Sequence, residues 1–261
     1  MRILAHARAG TGPRALVLLH GFLGSARNLA TLARALAGRD HALGVVALDL
    51  TGHGDSPPLP PGADAATLAA DVFATTRGLG LAEPLALVGH SLGGRVALRA
   101  ALREPAALSS VTLLDIAPGP LAHGAGVAAI VDALRRAPDT VSTRGQARAH
   151  LVGEGVPAAT AEWLTLNLEP AGGGYRWRVD REALARLHAR IAQEDLWPAV
   201  EARRAYAVRC VRGGASDYVG EPDARRLEAA GCPVITVRDA DHFLHVARPR
   251  ETAEAILAGL R

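Results

Sequence analysis

An α/β fold, with a mostly parallel central sheet, flanking helices and a helical insertion, is predicted by three observations. Short apolar runs alternate with longer stretches whose apolar residues recur at helical spacing, the pattern of a parallel sheet covered on both faces. That alternation stops near residue 118 and returns after residue 197. The length of 261 residues suits one domain carrying an insertion, since domains typically run to roughly 100–200 residues. The expected division is a core formed by 1–117 and 198–261, with a helical cap formed by 118–197.

The elements follow in order. Residues 15–20 and 43–49 are continuous apolar runs too short for helices and read as buried strands. Between them, Leu29, Leu32 and Leu36 recur at three- and four-residue spacing, which predicts a helix over 28–37. Residues 67–77 read as a helix and 85–89 as a strand. Residues 92–103 form a further helix, stopped at Glu104-Pro105 because proline disfavours helical backbone in the residue before it. Residues 111–115 are the next strand. Within 118–197 the spacing is mostly helical, broken at Pro138, at 153–157 and at the run Pro170-Ala171-Gly172-Gly173-Gly174. The strand–helix rhythm then resumes with strand 207–211, helix 223–230, strand 233–237 and helix 249–260. Ligands bind outside the carboxyl ends of such strands. The insertion departs and returns there, as a cap over a site would.

Composition excludes several classes of function. Hydrophobic residues at 49% and charged residues at 21% are ordinary for a folded globule and exclude a disordered chain. No apolar run is long enough to span a bilayer, so no membrane partner is expected. The first residues lack the apolar stretch and small-residue cleavage site of a secretory signal, and a cytoplasmic location is expected. Every one of the 29 basic residues is arginine, which lifts the pI to about 9.4 although the formal net charge is only +3. The arginines are scattered and aromatics reach only 3%, so the pattern is not that of a nucleic-acid surface. Cys210 and Cys232 lack metal or redox spacing and read as buried thiols. Nothing in the patterning specifies an oligomeric state.

The chemistry begins at Gly89-His90-Ser91-Leu92-Gly93, a G-x-S-x-G between an apolar strand and a helix. A serine at that sharp turn is held in a strained conformation that exposes its hydroxyl, as a nucleophile requires. The flanking glycines avoid collision with the neighbouring strand and helix. The helix that follows points its first amides and its positive dipole end at the site. A nucleophilic serine also needs a base and an oxyanion hole. The amide of Leu92 is one expected oxyanion donor, and the amide of Phe22, in the His20-Gly21-Phe22 loop after the first predicted strand, is the other. His20 precedes the serine in the chain and reads as a residue that shapes this loop. The expected order is serine, acid, histidine, which makes His242, in the loop after strand 233–237, the base. His242 and His245 have a possible metal spacing, but no third ligand accompanies them, so no metal is expected. Two acids compete. Asp115 ends the strand after the nucleophile helix. Asp217 lies in the loop after strand 207–211, one residue beyond a frequent acid position that Ser216 occupies. Asp115 is preferred.

Six stretches carry a family resemblance: His20-Gly-Phe-Leu-Gly-Ser25, Asp49-Leu-Thr-Gly-His-Gly-Asp-Ser56, Gly89-His-Ser-Leu-Gly-Gly94, Asp115-Ile-Ala-Pro118, Gly213-Gly-Ala-Ser-Asp-Tyr-Val219, and His242-Phe-Leu-His245 with Arg248-Pro249. Along its whole length the chain resembles the α/β-hydrolases, and most closely YbfF-type bacterial esterases and the related mitochondrial abhydrolase-domain esterases. The resemblance implies an α/β-hydrolase fold and a triad acid at the Asp-Ile-Ala-Pro position. It also implies that an acid at Asp217 is a departure from those esterases.

The expected function is a serine hydrolase of carboxylic esters with short to medium acyl chains. It would act on a small-molecule ester through an acyl-enzyme, with Ser91, His242 and Asp115 as triad and no cofactor. Two alternatives are carried. One is a lyase resembling the menaquinone-pathway SHCHC synthase, which shares the His20 loop and Gly93-Gly94-Arg95 and uses cap arginines to grip a dianionic substrate. The other is a catalytically weak ligand-binding protein on the same scaffold. The remaining singled-out residues read as structural: Asp49 and the 52–56 loop fix a turn, Asp71 anchors a loop or faces solvent, and Trp163, Asn167 and Trp177 hold the insertion together or line the site.

Overall fold

Six apolar segments and one short polar one build the central sheet of the structure, a computed structural model describing residues 2–121 and 125–260. Met1, Arg261 and positions 122–124 of the expected cap lie outside the described residues. In chain order, β1 (His6–Ala9) is followed by β2 (Arg14–Leu19), α1 (Ala30–Arg39), β3 (Leu43–Leu48), α2 (Ala65–Gly78), β4 (Leu85–His90), α3 (Leu92–Arg103) and β5 (Leu108–Leu114). The segment between β5 and the next sheet strand holds α4 (Ala125–Arg136), β6 (Thr140–Val141), α5 (Arg144–Gly153), α6 (Ala158–Leu164), β7 (Leu168–Ala171), β8 (Gly174–Trp177), α7 (Arg181–Ala192) and α8 (Pro198–Glu201). Then come β9 (Ala207–Gly213), α9 (Glu221–Ala229), β10 (Val234–Val237), α10 (Leu244–Ala247) and α11 (Pro249–Leu257).

The sheet order is β1-β3-β2-β4-β5-β9-β10, parallel throughout except for β1, which pairs antiparallel with β3 at one edge. Alternation along each strand divides its side chains between two cores. Val17 and Leu19 of β2 join one core with Leu68 and Val72 of α2 and Val96 and Ala100 of α3. Leu16 and Leu18 join the other with Leu32 and Leu36 of α1 and Ile256 of α11. Both faces are covered, so the strands read as unbroken apolar runs. Each such leucine contributes about 1.5–3 kcal/mol by leaving water.

The segment after β5 packs Leu134, Leu151, Leu164, Leu184 and Ile191 into the same core as α2 and α3. It is not purely helical. A small antiparallel sheet, β6-β8-β7, stands where the sequence shows only a glycine-rich break. Gly172 and Gly173 both have positive φ (56° and 83°) and form a two-residue hairpin turn, which requires that backbone at both positions. The segment's two ends run side by side: Leu196 N–H donates to the Pro118 carbonyl (2.9 Å) and Leu121 N–H to that of Ala192 (2.8 Å). Among the described residues no helix is long and apolar enough to cross a membrane.

Candidate active site

Ser91 stands between β4 and α3 with φ 50° and ψ −115°, a left-handed backbone that a β-carbon resists. Two close approaches force this turn. A β-carbon on Gly89 would lie 2.2 Å from the Gly93 carbonyl oxygen, and one on Gly93 would lie 2.3 Å from that of Leu19. Ser91 occupies the N-cap of α3, yet its hydroxyl makes no capping bond. The Oγ is therefore free for other chemistry at the positive end of the helix. The Ser91 amide donates to the Leu114 carbonyl (3.1 Å), which ties the turn to the end of β5.

The residue after Leu114 is Asp115, fully buried and itself at φ 52°. Three donors converge on its carboxylate. The Gly213 amide reaches Oδ1 (2.9 Å), and the Ser216 hydroxyl and His242 Nδ1–H both reach Oδ2, the latter at 2.8 Å. Asp217 is exposed and sits outside this cluster. Ser216, standing at the position where an acid is frequent, thus donates to the acid of the neighbouring strand. The imidazole of His242 is held from two further sides. Its ring stacks on Tyr218 at 3.6 Å between centroids and 13° between planes. Its backbone carbonyl accepts from His90 Nε2–H at 2.8 Å.

His20 lies across the turn from Ser91, and its hydrogen bonds fix its state. Nδ1–H donates to the Gly21 carbonyl (2.8 Å), and Nε2 accepts from the Leu50 amide (2.9 Å). A ring that must accept at Nε2 is neutral, and burial pushes its pKa down to about 4. His20 thus ties the 20–25 loop to the end of β3. Asp49 reinforces that loop by accepting from the amides of Ala26 (2.6 Å) and Asp55 (2.8 Å). Asp71, on α2, is buried and accepts from Thr51 Oγ (2.7 Å), so it anchors the same region. Among the described residues, the amides of Phe22 and Leu92 donate to no other backbone group.

Ser91, His242 and Phe22 share one cavity of about 440 Å³, walled by the core on one side and by α4, α6 and α7 on the other. Leu121, Val127, Ile130, Ala159, Trp163 and Phe243 make most of its surface apolar. Four histidines besides His242 also reach it: His20, His90, His188 and His245. Burial depresses all four, with His245 at about 4 and His90 well below its ordinary value. Trp163 lines this wall. Asn167 instead reaches back to the Leu23 carbonyl (2.9 Å), and Trp177 bonds the Pro138 carbonyl (2.9 Å) within the insertion.

Arg95 lies one turn into α3 and is 1% exposed. Its guanidinium donates to the carbonyls of Ala117 (3.2 Å), Gly119 (2.7 Å), Ile191 (3.0 Å) and Glu194. Burial lowers its pKa to about 10, which still leaves it charged at neutral pH. One side chain of the serine-bearing helix therefore holds both ends of the segment between β5 and β9, and it is not among the residues that line the cavity. Sequence reasoning singled out Ser91, Asp115, His242, Phe22 and Leu92, and these lie together. It missed the supporting roles of Arg95, His90, Ser216 and Tyr218. His90 and Arg95 flank the nucleophile motif, but only three-dimensional contacts reveal their partners.

Known proteins share this fold. Residues 16–255 match the alpha/beta hydrolase family. The sn-1-specific diacylglycerol lipase ABHD11 of Mus musculus is 30% identical over 254 residues, covering 94% of this chain and 80% of that one. Lipase LipV of Mycobacterium tuberculosis is 28% identical over 96% of this chain and 94% of its own length. Among solved structures, a marine microorganism esterase superposes with a TM-score of 0.88 over 99% of this chain and 100% of that one. At 22% identity, that likeness shows the fold alone.

Proposed function

The chain belongs to the alpha/beta hydrolase family, and from that membership and its site geometry we propose that it is a serine hydrolase cleaving carboxylic esters of short to medium acyl chains. The observation that carries the proposal is the bond from His242 Nδ1–H to the buried Asp115 carboxylate, in a ring that shares the cavity of a strained, uncapped Ser91. With Nδ1 engaged by Asp115, His242 Nε2 takes the Ser91 proton as Oγ attacks the acyl carbon. Asp115 orients the imidazole and stabilises its charged form. The Phe22 and Leu92 amides hold the oxyanion, fixed in place by the His20 loop and by the start of α3. The protonated His242 then gives its proton to the departing alkoxide. Water, activated by the same nitrogen, releases the acid and restores the serine.

The cavity of about 440 Å³ is at the small end of ligand sites, which run from about 300 to 1,000 Å³, and this supports short to medium acyl chains. The insertion spanning 118–197 acts as the cap that forms its outer wall. Two buried unpaired cysteines suit action in a reducing, cytoplasmic compartment. The lyase alternative needs cap arginines facing a dianionic substrate, and no arginine is among the described residues that line the cavity. The test is turnover of p-nitrophenyl esters together with fluorophosphonate labelling. Ser91→Ala should abolish both, and retained turnover would sink the assignment.

A further inference from the structure

Resting on the hydrolase reading above, we propose that the cavity over Ser91 selects esters whose acyl and alcohol parts are uncharged and rejects esters carrying a free carboxylate. A carboxylate taken out of water needs a cation or several strong donors in its place. Among the described residues that line the cavity there is no arginine. The chain has no lysine, and positions 122–124 hold no arginine, their one ionisable residue being His123. Among the described lining residues the one carboxylate is the exposed Asp241, so the fixed charge they carry repels an anion.

Five arginines of this region are engaged elsewhere. Arg95 is held by four backbone carbonyls at the ends of the insertion. Arg190 donates to the Ala63 carbonyl (3.1 Å). A neighbouring recess shares Leu23, Asn28 and Trp163 with the cavity and does carry arginines. Of these, Arg144 is bound to the carbonyls of Thr165 and Leu168, while Arg27 and Arg178 face Asp55. The histidines of the wall add no positive charge, because burial holds His20, His90, His188 and His245 neutral. The amides at the start of α3 are the one concentrated donor group, and they serve the oxyanion. An incoming carboxylate would lose its hydration, meet Asp241 and find no cation among the described lining residues, only neutral donors such as Asn28, Thr160 and Tyr218. An alkyl chain of the same length would meet Leu121, Val127 and Ile130.

Three esters of one chain length test this: p-nitrophenyl hexanoate, p-nitrophenyl hydrogen adipate, and its methyl ester, p-nitrophenyl methyl adipate. The free acid should show kcat/KM at least ~100-fold below hexanoate, the discrimination expected when a buried group is left unpaired. The methyl ester should stay within about tenfold of hexanoate, the range for small apolar differences in a pocket. Val246, at the cavity rim and 59% exposed, can accept a cation without disturbing the core. Val246→Arg should raise adipate turnover relative to hexanoate by about twofold to fivefold, the effect of one exposed charge pair. Equal turnover of hexanoate and the free acid would overturn the inference, as would a methyl ester as poor as the free acid or a Val246→Arg variant with an unchanged ratio. Absence of Ser91-dependent turnover for all three esters would instead overturn the hydrolase reading.

Discussion

Asp115 has to accept three hydrogen bonds at once, from Gly213, Ser216 and His242, while excluded from water. Only an ionised carboxylate satisfies all three donors, because an amide would turn an N–H toward at least one of them. Asp115→Asn should therefore lower kcat by about 10⁴, the effect of losing the correct imidazole orientation in a serine triad. Asp217→Asn should leave kcat within about threefold of wild type, as surface substitutions usually do. Steady-state kinetics on a p-nitrophenyl ester decides the pair, and the reverse ranking would move the acid to Asp217. Asp115 was legible as a candidate because an aspartate ended the strand after the serine-bearing helix. Its partners were not. Ser216 and Tyr218 lie about a hundred residues further on, and only the parallel pairing of β5 with β9 brings them to Asp115 and His242.

Among the elements, the segment between β5 and β9 depends on one buried side chain of α3. Arg95→Met would leave four carbonyls without their donor while keeping much of the stem's packing. The loss should be about 3–5 kcal/mol, as when one partner of a buried charged network is removed, and would appear as a lower urea midpoint. Faster amide exchange should centre on Leu121 and Leu196, whose amides bond across the two ends of the insertion. Unchanged exchange at these two amides would mean that the ends hold together without Arg95. The strands of the main sheet were legible because burial on both faces makes them continuous apolar runs. The edge strand β1 was not, since His6–Ala9 is mostly exposed and has no apolar pattern to read. The hairpin β7–β8 was hidden for a different reason. Gly172 and Gly173 signal a turn, but strands of four residues are too short for alternation to separate them from a loop.

At the scale of the whole molecule, the buried neutral histidines make stability depend on pH. His20, His53 and His245 are buried with pKa values depressed to about 4, 3 and 4, while an unfolded histidine titrates near 6.5. Above pH 6.5 both states are neutral and these groups leave stability at its full value. Below it the unfolded chain binds protons first, so stability falls steadily until the folded rings protonate near pH 4. Each such histidine costs on the order of 3 kcal/mol by the end of that window, at about 1.4 kcal/mol per pH unit. Protonating His53 would also bury a charged Nε2 without a partner among the described residues. Thermal melts should thus show Tm dropping between pH 6.5 and 4, and His53→Gln should flatten the slope. A flat Tm profile would show that these rings are not held neutral. The paired crossing points at Pro118–Leu121 and Ala192–Leu196 have a different consequence, one of exchangeability. When a chain leaves and re-enters a scaffold at one spot, doubling the length between those points costs only about 0.6 kcal/mol of closure entropy. The outer wall of the pocket can therefore be lengthened, trimmed or replaced while β5 and β9 stay in register. Under the proposed function, specificity is then free to change through this one segment while the serine, histidine and aspartate beneath it stay the same.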